Sequence, residues 1–218
     1  MINIPQNAIK SETTKAAAKT VTEAAEALRH KPEIDYTFED WYTKAFAAYV
    51  AEQFDEAVFY WSQVAKVEDA KDINIASTLY NKGVTLGKLK RFEEAIAVYD
   101  QLLKNYGPEL QEEGARALAN AVEMLLVLNQ YKAAIARAQQ AKAGVDNKDI
   151  SFAIMPFLLW LAKAGTMDNI LDAIYALGPE VAFDWNGDQL RNWIKQLPKP
   201  RRQQAECFMA YFETHHDI

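Results

Sequence analysis

Three short strings recur along this chain at almost constant spacing: Phe54-Asp55-Glu56-Ala57, Phe92-Glu93-Glu94-Ala95 and Tyr131-Lys132-Ala133-Ala134. Their last alanines stand 38 and 39 residues apart. A fixed period constrains a fold more than any local propensity does. Each period must be one supersecondary unit whose apolar face is covered by the next. Every string follows one helical segment and opens another. Trp41, Ala45 and Ala48 precede the first, with Trp61 and Val64 after it; Leu79, Gly83 and Leu86 precede the second, with Tyr99 and Leu102 after it. The third has Leu118, Val122 and Leu125 before it, then Ala138 and Ala141. A small residue in the first helix and an alanine in the second let the two backbones approach. Larger side chains three or four positions away fill the space around that contact. The pattern predicts helix-turn-helix pairs stacked side by side.

No segment alternates apolar and polar residues long enough to suggest a sheet, so the expected class is all-α. Glycine and proline fall largely between candidate helices, at Gly107-Pro108, Gly144, Gly165, Gly178-Pro179, Gly187, Pro198 and Pro200. There glycine takes the left-handed conformation cheaply and proline cannot continue the ladder. Residues 11–29 form an alanine-rich helix candidate capped by Ser11, with Ala17, Val21, Ala24 and Leu28 on one thin face. Two readings of it stand, a docked helix or a loosely held arm. Lys31-Pro32 ends it, and Thr37 reads as the cap of the next helix.

Past residue 146 the repeat fades. Asp149–Ala164 and Asp168–Leu177 read as a degenerate fourth pair, with Met167-Asp168-Asn169-Ile170 in place of the recurring string. Asp188–Leu197 and Pro200–Thr214 add two helices. These serve as an end cap or, given Trp160, Trp185, Trp193, Phe208, Tyr211 and Phe212, as a dimerisation surface. The expected organisation is an N-terminal arm over 1–36, three helix pairs over 37–146, and a degenerate repeat with capping helices over 147–218.

Charge and composition exclude several functions. The 218 residues hold 24 basic and 30 acidic side chains, a net charge of -6, which gives no general pull toward nucleic acid or an anionic membrane. The most apolar run, Phe152–Ala162, is 11 residues long and contains Pro156, against the roughly 20 that a membrane span needs. It reads as a core helix. Met1–Lys10 has no secretory pattern, so a cytoplasmic protein is expected. Cys207 is the single cysteine and reads as a small core residue. His30 adjoins a helix end, whereas His215 and His216 sit in the tail beside Asp217. Asp55-Glu56 and Glu93-Glu94 complement helix dipoles. Lys195, Lys199, Arg201 and Arg202 read as a solvated basic cluster. No catalytic residue, metal or cofactor is expected.

On these residues the chain resembles the tetratricopeptide repeat family. Leu79 through Tyr99 carries that family's pattern clearly, and the first unit matches it through Trp41, Ala45, Ala57 and Trp61. The third departs from it, with Val122 where a small residue is usual and Ala138 where an aromatic is usual. The period also exceeds the family's usual length of about 34. The extra length is expected around Glu68–Lys71 and Pro108–Glu113, as in bacterial members with lengthened repeats. The likeness covers residues 38 to 143. It implies a right-handed superhelix of three clear pairs, in which the first helix of each lines a concave groove that accepts a peptide.

Carried onto this chain, the groove positions are Tyr42, Phe46 and Tyr49 in the first pair, and Tyr80, Asn81, Val84 and Lys88 in the second. Arg116, Asn120 and Glu123 follow in the third. Asn81 stands where the family's carboxylate clamp has its central Asn, and Arg116 and Asn120 occupy the distal basic positions. Tyr42 and Phe46 replace the proximal Lys and Asn, so the full clamp is absent. The resemblance implies a non-enzymatic adaptor or chaperone that holds a peptide segment of another protein by partial backbone contact and apolar anchoring. Two alternatives stand beside it. One is a chaperone like those of class II in type III secretion. The other is an oligomeric scaffold, such as a homodimer joined through the C-terminal helices.

Overall fold

The computed structural model describes residues 12–67, 72–106, 111–141, 153–178, 185 and 187–214. Ser11, Glu68–Lys71, Gly107-Pro108, Gly144, Pro179, residues 149–152, His215, His216 and Asp217 lie outside the described residues. Among those described there is no strand. The described residues form eleven α-helices in turn: α1 Glu12–Ala27, α2 Phe38–Val50, α3 Phe54–Val64, α4 Asp72–Lys88, α5 Phe92–Tyr106, α6 Gln111–Val127, α7 Tyr131–Ala141, α8 Met155–Leu161, α9 Met167–Leu177, α10 Asp188–Ile194 and α11 Lys199–Thr214. The class is all-α, and no described helix is long and apolar enough to cross a membrane.

The period seen in the residues is also written in the backbone. The turns after α2, α4 and α6 each place one residue in the left-handed region: Glu52 at φ 58°, Lys90 at 59° and Asn129 at 58°. Each turn closes with the same two bonds. Glu52 N–H donates to Tyr49 O and Gln53 N–H to Ala48 O; Lys90 and Arg91 donate to Gly87 O and Leu86 O; Asn129 and Gln130 donate to Leu126 O and Leu125 O. This double closure satisfies helix-end carbonyls that would otherwise be left without partners. A fourth copy follows α8, where Lys163 at φ 64° donates to Trp160 O and Ala164 to Leu159 O. The α8–α9 pair therefore keeps the turn of the others after losing most of their side-chain pattern. None of these four left-handed positions holds a glycine, whereas Gly178 ends α9 at φ 85°, as the glycine pattern predicts.

The chain divides into two compact units, residues 1–91 and 92–218, with the division between α4 and α5. In the first unit α1 packs on α2, α2 on α3 and α3 on α4. Thr37 caps α2 as expected. Its Oγ1 accepts from Asp40 N–H at 3.3 Å, its own N–H donates to Asp40 Oδ2 at 2.8 Å, and Lys31 Nζ reaches the same oxygen at 2.5 Å. Burial pushes the Asp40 pKa up, but the bonds from Lys31 and Thr37 outweigh it and hold the carboxyl below its ordinary value. Ala45 and Ala57 are fully buried, so α2 and α3 approach closely, and Trp61 and Val64 fill the space beside them. Trp61 Nε1–H donates to Thr85 Oγ1 on α4 at 3.2 Å. The helix α1 docks on α2 with no described side chain buried; Val21 and Leu28 are half-buried, and Ala24 is exposed.

In the second unit α5 packs on α6, α6 on α7, α7 on α8 and α8 on α9, while α10 returns to α6. Trp61, Tyr99 and Ala138 hold equivalent positions, and all three are buried. Ala138 joins the cluster built by α8, where Phe157 and Leu158 are fully buried. The arrangement corrects the expectation that Cys207 is a core residue, and it fits the end-cap reading of the C-terminal aromatics. Trp160, Trp185, Trp193, Phe208 and Phe212 are buried in the core of this unit. Phe157 collects four of them, with ring centroids 6.2 Å from Trp160, 6.3 Å from Trp185, 5.8 Å from Phe208 and 5.5 Å from Phe212. Cys207 is exposed, because α11 buries Ala205, Phe208, Met209 and Phe212 along the opposite stripe.

Candidate functional site

In the first unit the expected groove residues lie on α2 and α4. Tyr42 packs edge-on to Trp61 at 5.0 Å and stacks on Phe38 at 5.7 Å. Its hydroxyl accepts from Asn81 Nδ2 at 3.3 Å, so the first helices of two successive pairs meet side by side. Tyr49 lies 5.7 Å from the Phe54 ring. Tyr42, Phe46, Tyr49, Tyr80, Asn81 and Lys88 are all half-buried, which leaves each some surface to offer. Val84 is the exception at 7 % exposure and is withdrawn from the face. It stands within Gly83–Gly87, a wholly buried stretch of α4 that packs against α3.

In the second unit Arg116 is half-buried, and Asn120 Nδ2 donates to Tyr99 OH at 3.2 Å, joining α6 to α5. Glu123 corrects the groove assignment most sharply. It is 4 % exposed, and three N–H groups surround its carboxylate. Oε1 accepts from Gln189 N–H at 2.7 Å and Leu190 N–H at 3.2 Å, and Oε2 from Trp185 Nε1–H at 3.1 Å. Burial raises its pKa to about 7, helped by the nearby Asp188 charge and opposed by the three donors. A few residues along, Trp193 Nε1–H donates to Asn129 Oδ1 at 3.3 Å, and its ring lies 6.4 Å from Tyr131. This part of α6 is therefore covered by the chain's own Trp185 and α10. Gly187 makes the path possible: at φ 55°, an added Cβ would lie 2.7 Å from Met209 Cε and 2.8 Å from Trp185 Cη2. Nothing local marks Glu123 as buried, because its donors lie 62 to 67 residues further along.

A third surface went unnoticed in the sequence. Between α9 and α11 lies an open trough of about 760 Å³ with an almost wholly apolar lining. Met167, Leu171, Ile174 and Tyr175 line it from α9, and Cys207, Phe208 and Tyr211 from α11. Tyr175 is 81 % exposed and Leu171 38 %. The signal for it was present in α9. Ile170 and Ala173 already form the buried stripe, and the apolar band extends past it to Leu171 and Tyr175. Among the described residues no three His, Cys, Asp or Glu side chains gather around one point. In comparison with known proteins, the chain matches no family model, and no curated protein or solved structure matches it.

Proposed function

We propose that this chain is a tetratricopeptide-like solenoid that holds a peptide segment of another protein along the first-helix face of α2 and α4, as a non-enzymatic adaptor or chaperone. One observation carries the reading: the Asn81–Tyr42 bond joins the first helices of two consecutive pairs. On this reading Tyr42, Phe46, Tyr49 and Tyr80 form one wall of the groove. Half-buried aromatics of this kind supply contact area at small entropic cost, and an Asn amide can both donate to and accept from a peptide backbone. The recurring left-handed turns at Glu52, Lys90 and Asn129 support the repeat architecture on which the wall depends. The third pair contributes less, since Glu123 is engaged by the chain itself.

The test is a peptide-display selection on the full chain, followed by Asn81→Ala and Tyr80→Ala variants. Each variant is expected to weaken the selected peptide by about tenfold or more. Asn81→Ala should cost only about 1 kcal/mol of stability, for one lost neutral hydrogen bond. Selected peptides that bind both variants as tightly as the original chain would move the binding site elsewhere.

A further inference from the structure

We propose that the trough between α9 and α11 is a homodimer interface, in which the Leu171–Tyr175 strip of one copy fills the trough of a second. This goes beyond the peptide-holding reading and does not depend on it, because the two surfaces belong to different compact units. Tyr175 projects into solvent with 81 % of its surface free, beside an unfilled apolar space of about 760 Å³. Exposed apolar area combined with a nearby apolar hole marks an interaction site.

The patch is also self-complementary. A two-fold interface requires knob and hole on the same patch, so that each copy gives and receives. Leu171 and Tyr175 are both wall and projection of this one trough. A knob on a distant face would instead join copies into open chains.

Charge selects the occupant. The exposed edge of α9 carries Asp168 and Asp172, neither in an ion pair among the described residues. On the other wall α11 begins Lys199-Pro200-Arg201-Arg202 with no acid in its first turn, so the basic groups oppose the helix dipole. Arg201 is engaged over the Trp160 ring, 4.6 Å from its centroid. Arg202 is engaged with Lys195 O at 3.3 Å and Glu206 at 4.0 Å. Lys199 is exposed and in no ion pair among the described residues. A second α9 laid along α11 brings Asp168 and Asp172 to that basic turn as Tyr175 enters the trough. The acidic edge of α9 argues against an anionic bilayer as the occupant.

The single cysteine reports on the contact, because Cys207 is exposed and lines the trough. The experiment is sedimentation equilibrium of the full chain under reducing conditions, paired with the alkylation rate of Cys207 by a maleimide. The expected mass rises from 24.7 kDa toward twice that value as protein concentration increases through the micromolar range. Cys207 alkylation should slow in parallel. Tyr175→Asp is expected to weaken association roughly thirtyfold and restore fast alkylation, with an unchanged thermal melt because the side chain is exposed. Asp172→Lys and Lys199→Glu should each weaken association, and the double variant should recover it.

A mass that stays monomeric at every concentration, with a constant alkylation rate, overturns the proposal. So does a dimer untouched by Tyr175→Asp. Protection of Cys207 in a monomer only when an acidic amphipathic helical peptide is added would assign the trough to another protein, and would overturn it equally.

Discussion

Val84 on α4 and Glu123 on α6 occupy the same station of successive repeats, 39 residues apart, and both are buried. What differs is what surrounds them. Val84 sits among α4's own buried neighbours, Gly83, Thr85, Leu86 and Gly87, and needs only apolar packing. Glu123 is met by Trp185 and the start of α10, which satisfy its carboxylate with three donors. Phe46 on α2, one repeat earlier, is half-buried against the first core. Repetition of the backbone thus sets where a station lies along its helix, whereas its depth and chemistry follow from the segments that pack there. One station before, the amides diverge in the same way. Asn81 bonds Tyr42 on the previous first helix, and Asn120 bonds Tyr99 on the previous second helix.

The largest effect should come from emptying the two stations. Glu123→Ala leaves an indole N–H and two backbone N–H groups buried without acceptors, an expected loss of about 3–5 kcal/mol. Val84→Ala removes only apolar contact and should cost about 2 kcal/mol. Urea unfolding gives the totals, and hydrogen exchange should place the first loss in residues 92–218 and the second in residues 1–91. Equal losses would mean that the carboxylate clasp adds nothing to packing.

Acidity should separate the two units in opposite senses. The Glu123 pKa is raised from 4.5 to about 7 in the folded chain, so the folded state holds a proton that the unfolded state releases earlier. Its contribution is therefore full below pH 4.5 and is lost as pH rises toward about 7. Asp40 works the other way. Its lowered pKa gives stability that is present above its ordinary value of 3.8 and lost as pH falls below it. Glu123→Gln should abolish the first slope and leave the second. A slope near neutrality that survives the substitution would assign the titration to another group.

The smallest effects concern the left-handed turns. Lys90→Gly relieves the strain of a positive φ and should stabilise the chain by about 0.5–1 kcal/mol. Asn129→Gly relieves less and loses the Oδ1 that accepts from Trp193 at 3.3 Å and Tyr131 at 3.0 Å, so it should destabilise by about 1 kcal/mol. Thermal melts of the two variants should move in opposite directions.

How much of this was legible beforehand depended on range. The helix pairs, the Thr37 cap and the alanine contacts are set by residues within a turn or a repeat of one another, and the spacing of the three strings announces them. The fourth pair was readable only through Met167-Asp168-Asn169-Ile170, because its identity survives in the turn at Lys163 more than in its side chains. Glu123 was misplaced on an open wall since its donors come from 62 to 67 residues away. Cys207 was misplaced because a residue lying in sequence between buried Ala205 and Phe208 can face away from their stripe, as it does on α11. The α9 trough was missed although Leu171 and Tyr175 widen the apolar band beyond one neighbour's reach. The groove of α2 and α4 rests on an alignment of stations, and Val84 departs from it because the whole stretch Gly83–Gly87 is buried.

The central claim is that the first-helix face of α4 stays open at Tyr80, whereas that of α6 is closed at Glu123 by the chain's own Trp185 and α10. Hydroxyl-radical footprinting with peptide-level mass spectrometry reads both regions in one sample. Tyr80 should be oxidised faster than Trp185 and Trp193, although indoles are the more reactive rings toward radicals, and Glu123→Ala should open both tryptophans to attack. Oxidation of Trp185 and Trp193 at or above the rate of Tyr80 in the unaltered chain would contradict the account.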